Sequence, residues 1–537
     1  MGAYIDDVLS PISSARTGYD GWQAINIFPQ CGSNSAVSVP WSLLPGRAWA
    51  WIVHDVTANF YIMRLISVCI LLSWIGYTAW FLKLCFLPQC PLPYLVAGII
   101  CFTGLGTQTF AMVLNRPETA MIFMITLYVS LPFIVNKYVT PPRKLVVSVA
   151  LVFCMVTSWF VSAHPKALFY APLLFVSALY VCKWSRAVGG VLAGVVALTC
   201  YQAWASYWKL KMSCADSLKA RHEWDNAALS TSLFFKDRAQ FWAQLKHNLY
   251  NSDAYVTNIF FPVKTVWLPP ASYPPYGGLI NILIMIVIGL VLLWAVRIHT
   301  TVWTTALKQR AWKHPVFTLA PCLLAAAVAQ CAIQSDKSFY NFSLVWVTLL
   351  LWAGTIAAYL SVHTAYWQEW ETETKKGHRL LCALVGVSQC LLLMTYIPAA
   401  VHALKHASAN GVIDNGVVEN GDLTTSWGLI SPAHYEERRE RMLDAAQACH
   451  IPADSSGKHI VVDHFTYLPL KQTYQPFFLV FRLHEFDEPH ALFTFLRIRG
   501  SSGLVTLCHT LPPQIRPYAK EQEGVCCISK EQIDGVQ

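Results

Sequence analysis

Charged residues are scarce in this 537-residue chain, where Asp, Glu, Lys and Arg make up 13% of the sequence. An ordinary soluble domain contains about 25% of these residues. Hydrophobic residues instead make up 55% of the chain, and the long apolar runs lie almost entirely before residue 404. The composition therefore excludes an ordinary soluble fold for most of the chain and places a domain boundary near residue 404.

Motifs for metal and nucleic-acid binding are also missing. The 17 cysteines form no CxxC motif and no Cys/His spacing typical of a metal site, so neither a metal nor another cofactor is expected. The net charge is +9, but the Lys and Arg residues lie mostly in short loops and form no polybasic tract. This distribution argues against a nucleic-acid-binding protein. Some cysteines lie outside the apolar runs and allow disulfides in an oxidising compartment, with the pairing left open. The candidates for such disulfides are Cys31, Cys214, Cys449, Cys508, Cys526 and Cys527.

The sequence is rich in long apolar runs. A helix that crosses a bilayer needs about 20 apolar residues. Ten runs qualify, near residues 65–86, 93–113, 119–135, 145–163, 167–182, 187–207, 278–296, 315–334, 339–362 and 380–403. The chain is therefore predicted to be an all-α polytopic membrane protein with about ten transmembrane helices. The runs at 119 and 167 are the shortest.

The placement of Lys and Arg predicts the orientation of these helices. One set of alternating loops holds thirteen of these cations, from Lys83 to Arg379, whereas the other short loops hold only Arg116, Lys166 and Lys337. Because cytoplasmic loops retain positive charge, the first set is predicted to be cytoplasmic. The expected location is the bacterial inner (plasma) membrane, with the C-terminal domain extracytoplasmic.

Five segments follow from this topology. They are a first extracytoplasmic loop (1–64), a transmembrane bundle (65–207), an extracytoplasmic loop (208–277), a second bundle (278–403) and an extracytoplasmic soluble domain (404–537). Residues 1–64 have neither a signal peptide nor a preceding helix, so one hypothesis is that the natural chain begins one helix upstream. Direct insertion of a weakly charged N-terminal tail is the alternative.

Two of the extracytoplasmic segments contain predicted secondary structure. Ser232–Tyr250 is predicted to form an amphipathic helix in the membrane interface. The soluble domain is predicted to open with a helix over 432–448. Strand-like runs follow at His459–Val462, Phe477–Phe481, Ala491–Leu496 and Gly503–Leu507, which together indicate a small α/β domain.

The ten apolar runs contain no Asp, Glu, Lys or Arg, which disfavours ion-coupled transport. Charged side chains lie instead at the predicted exterior ends of the helices. Carboxylates there could accept a proton from a hydroxyl group, and cations could hold a lipid-linked phosphate and stabilise the charge that grows on it. Such a set of groups suits the transfer of a sugar from a polyprenyl phosphate.

Short motifs at these ends resemble the loops of GT-C-fold glycosyltransferases, most closely the bacterial O-antigen glucosyltransferase type. They are Tyr4–Val8, Arg16–Trp22, Gly46–Arg47, Asn115–Glu118, Ala163–Ala167 and Asp336–Tyr340. The resemblance covers residues 4 to about 360 and implies an inverting transfer with no nucleotide donor at the site. The family's first-loop acid follows a transmembrane helix that this sequence lacks.

The resemblance also implies roles for individual residues. Asp7, or else Asp6, would be the catalytic base. The donor phosphate would be held by Arg116, Lys166, His164, Lys337 and Tyr340, and the supporting residues would be Glu118, Arg16, Asp20 and Arg47. A structural interpretation stands beside each role. Arg116 and Glu118 could form a surface ion pair, and His164 and Lys166 could be ordinary interfacial residues.

The preferred hypothesis is a membrane glycosyltransferase whose partners are a polyprenyl-phosphate sugar, a glycan or lipid acceptor and the membrane, without nucleic acid. A lipid-carrier transporter or flippase of cell-envelope polysaccharide synthesis is the alternative, since it would also need exterior cations for phosphate. A non-catalytic anchor for the tail is a third possibility. One helix would suffice for such an anchor, whereas ten are predicted.

Overall fold

The computed structural model describes two parts of the chain, a helical bundle and a C-terminal α/β domain. The longer described segments are 60–86, 91–103, 117–213, 231–252, 314–335, 339–363, 435–451, 488–498 and 500–535, with shorter stretches and single positions between them. The first 59 residues and most of 253–313 and 364–434 lie outside the described residues. Every structural statement below refers to the described residues.

The bundle consists of long helices joined by short turns. In chain order they are α1 (Phe60–Cys85), α2 (Leu92–Thr103), α3 (Pro117–Lys137), α4 (Arg143–Ala163), a 3-10 segment (Pro165–Tyr170), α5 (Ala171–Val181), α6 (Arg186–Ser213), α7 (Thr231–Lys236), α8 (Arg238–Tyr250), α9 (Pro315–Ile333) and α10 (Phe339–His363). Eight of the ten predicted spanning runs overlap α1–α6, α9 and α10, although α2 ends at Thr103 and its run was predicted to reach 113. The other two, 278–296 and 380–403, lie almost wholly outside the described residues.

Five of the described helices are long and apolar enough to cross a membrane, and they belong to α1, α3, α4, α6 and α9. Two shorter apolar stretches, Lys166–Val181 and Ser343–Ile356, accompany them. The first of these combines the last five residues of the 3-10 segment with the 11-residue helix α5. At the usual rises it extends about 26 Å, a little less than the ~30 Å hydrocarbon core of a bilayer. Ten spans remain a prediction.

The loops rich in Lys and Arg meet at one end of the bundle. Lys137 donates to the carbonyl oxygen of Leu84, and Lys183 Nζ donates to Asn136 Oδ1 at 2.6 Å. Trp184 Nε1 donates to the carbonyl oxygen of Tyr138 at 2.6 Å. Three loops that were predicted to share the cytoplasmic side therefore do share one end. We call this the basic end, and the end that holds Glu118 and Lys166 the site end.

Interhelical hydrogen bonds join the helices inside the bundle. Trp74 Nε1 donates to Thr126 Oγ1 at 2.8 Å, and the hydroxyls of Tyr128 and Thr157 are 2.9 Å apart. Ser177 Oγ donates to the carbonyl oxygen of Tyr128 at 2.8 Å. Because lipid tails are as apolar as the helix surfaces, packing and bonds of this kind, and not hydrophobic burial, hold membrane helices together. These contacts fix how α1, α3, α4 and α5 lie beside one another.

The C-terminal domain contains a five-stranded mixed sheet. Its strands and helices are α11 (Tyr435–Ala448), β3 (His459–Val462), β4 (Phe477–Leu479), α12 (Pro489–Ile498), β5 (Ser501–Leu507), β6 (Lys520–Gln522), β7 (Val525–Ser529) and α13 (Lys530–Gly535), after a two-stranded pair of β1 (Val412–Ile413) and β2 (Leu429–Ile430). The strand order is β4-β3-β5-β7-β6, with β4, β3 and β5 parallel and β7 antiparallel to both neighbours. The predicted α/β domain is confirmed.

One predicted strand is wrong. Ala491–Leu496 was expected to be extended but lies inside α12, which begins at Pro489. Leu492, Phe493 and Leu496 are fully buried, and this spacing is that of one face of a helix. Proline at the first helical position also favours this start, because its missing N–H would have no intrahelical partner there. The aromatic residues favoured a strand, and packing against the sheet overrode that preference.

Two disulfides join elements of this domain. Cys449, just after α11, pairs with Cys527 of β7, and Cys508, just after β5, pairs with Cys526. Neighbouring residues of a strand point to opposite faces of the sheet, so the two bridges hold β7 from both sides. Four of the six cysteines named above as candidates for disulfides are thereby paired. Cys31 and Cys214 lie outside the described residues.

Candidate functional site

A buried ion pair lies at the site end of the bundle. Lys166 Nζ donates to Glu118 Oε1 at 2.7 Å, and the two side chains are 4% and 1% exposed. Glu118 lies in the first turn of α3, whereas Lys166 lies in the 3-10 segment that follows α4. They are the only charged side chains that are buried among the described residues. The structure therefore brings together two residues that were predicted to belong to one site.

The start of α3 is a favourable position for Glu118. Glu118 lies in the first turn of α3, where the helix dipole favours a negative charge. Thr119 Oγ1 beside it donates to the carbonyl oxygen of Met112 at 2.8 Å, which links the start of α3 to the preceding segment. Glu118 was predicted as a supporting residue of the site, with a surface ion pair to Arg116 as the structural alternative. The pair with Lys166 gives it a partner 48 positions away.

The backbone around His164 explains how Lys166 is held. α4 ends at Ala163, and His164 is extended, with φ −164° and ψ 147°. His164 Nδ1 accepts from the backbone N–H of Lys166 at 3.2 Å, while its carbonyl oxygen accepts from Ala167 at 2.9 Å. Pro165 then fixes the first residue of the 3-10 segment. The cap turns the chain sharply and directs Lys166 toward α3.

The same His-Pro cap occurs at the basic end. His314 Nδ1 accepts from the backbone N–H of Val316 at 3.4 Å, and Pro315 begins α9. In both caps Nδ1 is an acceptor, so a neutral imidazole carries its proton on Nε2. The predicted phosphate contact of His164 is untested. Its structural role as a cap is visible. His314 makes the equivalent cap far from the site and can serve as a matched control.

A layer of buried polar side chains lies one helical turn beyond Lys166. The hydroxyls of Tyr170 and Thr348 are 2.6 Å apart, and Gln330 Nε2 donates to the Tyr170 hydroxyl at 2.7 Å. Tyr170 and Gln330 are fully buried. The layer joins the 3-10 segment to α9 and α10, so it fixes the elements around the ion pair. Tyr170 and Thr348 were not predicted as site residues, and only their polarity within apolar runs could have indicated them.

The remaining predicted site residues lie outside the described residues. They are Asp6, Asp7, Arg16, Asp20, Arg47, Arg116 and Lys337, together with the side chain of Tyr340, whose backbone belongs to the first turn of α10. The site as described consists of Glu118, Lys166 and His164. The convergence of the first loop on this point stays a prediction.

One group in the C-terminal domain has ligand atoms spaced for a metal ion. Cys508, Glu521 and Cys526 place one such atom each within 4.8 Å of one another. Cys508 and Cys526 are joined as a disulfide, however, and metals bind cysteine as the thiolate. In the oxidised form the group therefore lacks two of its three ligands. Glu521 is exposed and lies opposite Cys526 on β6.

Comparisons with known proteins do not identify the chain. No family model matches the sequence, and neither the curated proteins nor the solved structures contain a match.

Proposed function

We propose that the protein is an integral membrane glycosyltransferase of the GT-C type, which transfers a sugar from a polyprenyl-phosphate donor to an extracytoplasmic glycan or lipid acceptor in the bacterial inner membrane. The observation that most supports this proposal is the buried Lys166–Glu118 pair at the site end. Removing two charges from water costs several kcal/mol per ion, and a buried pair often adds little stability. A functional use of the cation accounts for its retention there.

The chemistry assigned to the site is a single displacement. An acceptor hydroxyl attacks the anomeric carbon of the donor, and the bond between that carbon and the phosphate oxygen breaks. The hydroxyl proton passes to the carboxylate of Asp7 or Asp6, and the bond's electron pair leaves with the polyprenyl phosphate. The configuration at the anomeric carbon is inverted. No metal or nucleotide is part of this proposal.

Cations would stabilise the leaving phosphate as its charge grows. In the proposal Lys166 makes this contact together with Arg116, Lys337 and Tyr340, and with His164 through Nε2. Glu118 holds Lys166 in place beforehand, so little reorganisation is needed when the donor arrives. Arg16, Asp20 and Arg47 would shape the first loop around the acid. The fixed backbone of the His164 cap supports this role for Lys166.

A charge reversal tests whether Lys166 acts beyond the ion pair. The Glu118→Lys/Lys166→Glu variant keeps the pair but moves the cation from the 3-10 segment to α3. We expect it to fold and to lose at least about 100-fold in transfer, the usual effect of removing one preorganised donor. Transfer is measured in vesicles with radiolabelled undecaprenyl-phosphate glucose as the probe donor and envelope glycolipid extract as acceptor.

Lys183→Ala is the matched control, because Lys183 also donates to a side-chain oxygen on α3 but at the basic end. It should retain wild-type transfer. A folded reversal variant with wild-type transfer would make the pair purely structural and would remove Lys166 from the mechanism.

The alternative is a lipid-carrier transporter or flippase, which a buried ion pair inside a helical bundle also favours. It makes a different prediction for the same vesicles. A flippase would move labelled donor across the bilayer without forming a glycosidic bond. That outcome would replace the transferase proposal.

A further inference from the structure

Helix α8 is attached to the site end of α9. Asn248 is buried, and its Nδ2 donates to the carbonyl oxygen of Ala332 at 2.9 Å, while the backbone N–H of Leu229 donates to Ile333 at 2.8 Å. Both acceptors lie in the last turn of α9, whose carbonyl groups have no partner within the helix. Because α9 is long and apolar enough to cross a membrane, its end marks the depth at which α8 lies.

The predicted single helix over Ser232–Tyr250 is two helices. α7 ends at Lys236, and Asp237 begins α8 by accepting from the backbone N–H of Gln240 at 2.9 Å. The inward face of α8 is formed by the half-buried Phe241, Gln244 and Leu245 and by the buried Asn248, which follow helical spacing.

A second face of α8 is exposed and combines cations with aromatic rings. Arg238, Trp242, Lys246 and Tyr250 follow one another at intervals of four residues, so they form one stripe along the helix. Trp242 is 56% and Tyr250 71% exposed, and Leu249 beside them is 42% exposed. Phe235 at the end of α7 extends the apolar surface and is 82% exposed. Large apolar side chains are thus presented outward.

The cations of this stripe lie against aromatic rings. Lys246 Nζ is 5.5 Å from the ring centre of Tyr250, and the Arg238 guanidinium is 5.4 Å from that of Phe234. Residues 238–250 contain no Asp or Glu, and the N-cap Asp237 is the one acidic residue at α8, so Arg238 and Lys246 leave the helix with a net positive charge. A face that is both cationic and aromatic is typical of helices that lie on membranes with anionic lipids.

We propose that the stripe of Arg238, Trp242, Lys246 and Tyr250 binds the head groups of acidic phospholipids at the bilayer surface. The rings lie at the level of the head groups, where aromatic side chains are enriched, and the two cations pair with lipid phosphates. Attachment of α8 to the end of α9 holds the stripe at this depth. This surface goes beyond the proposed transfer reaction and does not depend on it.

Hydrogen exchange of the full chain in lipid nanodiscs tests the proposal. The backbone amides of 238–250 are followed in discs of phosphatidylcholine alone and in discs with phosphatidylglycerol added. We expect exchange in the anionic discs to be slower by about fivefold or more, because each bound cation contributes roughly a fivefold gain in affinity. Raised salt should remove most of the difference, since it screens exposed charges.

The Arg238→Gln/Lys246→Gln variant should exchange at the same rate in both kinds of disc. Its two positions are exposed, and an unchanged rate in neutral discs shows that α8 still forms. The Arg143→Gln/Lys144→Gln variant removes the same charge at the basic end and should keep the wild-type response over 238–250. Equal wild-type rates in the two discs, or a full response in Arg238→Gln/Lys246→Gln, would overturn the proposal.

Trp242→Ser should exchange faster than wild type in both discs, and an unchanged rate would remove the aromatic part of the contact.

Discussion

Gln330 Nε2 donates to the hydroxyl of Tyr170 at 2.7 Å, across 160 positions of the sequence. The same hydroxyl lies 2.6 Å from Thr348 Oγ1, so one phenol oxygen connects the 3-10 segment with α9 and α10. Gln330 Oε1 is buried and has no hydrogen-bond partner among the described residues. The amide is therefore held from its nitrogen side, by Tyr170 and, at 3.4 Å, by the carbonyl oxygen of Ala326.

Tyr170→Phe should loosen this junction without changing the shape of the core. Hydrogen bonds between membrane helices contribute about 0.6 kcal/mol on average and up to about 1.7 kcal/mol. We expect the variant to lose about 1 kcal/mol of stability in detergent unfolding. In a double-mutant cycle with Gln330→Leu, the coupling should be about 0.5 kcal/mol or more. Additive losses would mean that the two residues do not interact.

Because His164 is assigned both a cap and a phosphate contact, its variants should separate stability from transfer activity. His164→Asn keeps an acceptor at the cap position, so the fold should be retained, whereas His164→Ala should cost about 1 kcal/mol. If His164 also holds the donor phosphate, His164→Asn will lower transfer while thermal unfolding stays unchanged. The matched His314→Asn variant alters the equivalent cap at the basic end and should leave transfer unaffected. Equal transfer in wild type and His164→Asn would limit His164 to its structural part.

Hydropathy and charge placement predicted the coarse architecture well. A long apolar run predicts a helix without any knowledge of the helices packed beside it. Eight predicted runs accordingly overlap α1–α6, α9 and α10. Loop charge likewise grouped Lys137 and Lys183 correctly, because both reach polar atoms at the same end of the bundle. Whether the basic end faces the cytoplasm stays a prediction.

Pairing between distant residues was less accessible from the sequence. A surface ion pair with Arg116, two positions away, was the structural alternative for Glu118, whereas its pair with Lys166, 48 positions away, was not predicted. The turn made by His164 and Pro165 brings Lys166 to Glu118. Hydrophobic periodicity does not predict such a turn. In the C-terminal domain, β6 was missed because its three residues are too few to show the alternation of a half-buried strand, and β7 was also missed.

Replacing Asp6 and Asp7 together by Asn tests the proposed base. The double variant should bind donor but fail to transfer its sugar, because an amide cannot accept the acceptor's proton. We expect a loss of at least about 100-fold in transfer, within the range that general bases contribute. Retained thermal unfolding and retained donor binding serve as controls. Wild-type transfer in this variant would remove the first loop from the mechanism, whatever the Lys166 variants show.

The two disulfides should differ in what they contribute to the C-terminal domain. Cys449 and Cys527 are 78 positions apart, whereas Cys508 and Cys526 are separated by 18. If the bridges act by restricting the unfolded chain, the longer loop should give roughly 4 kcal/mol and the shorter roughly 3 kcal/mol. Cys449→Ala/Cys527→Ala should therefore lower the unfolding temperature of this domain more than Cys508→Ala/Cys526→Ala.

Thiol alkylation of intact cells, followed by mass spectrometry, checks that both bridges form, as an extracytoplasmic position requires. If Cys449, Cys508, Cys526 and Cys527 are all alkylated in the wild-type protein, the domain instead lies in a reducing compartment. The helices would then have the opposite orientation, and the site end would face the cytoplasm.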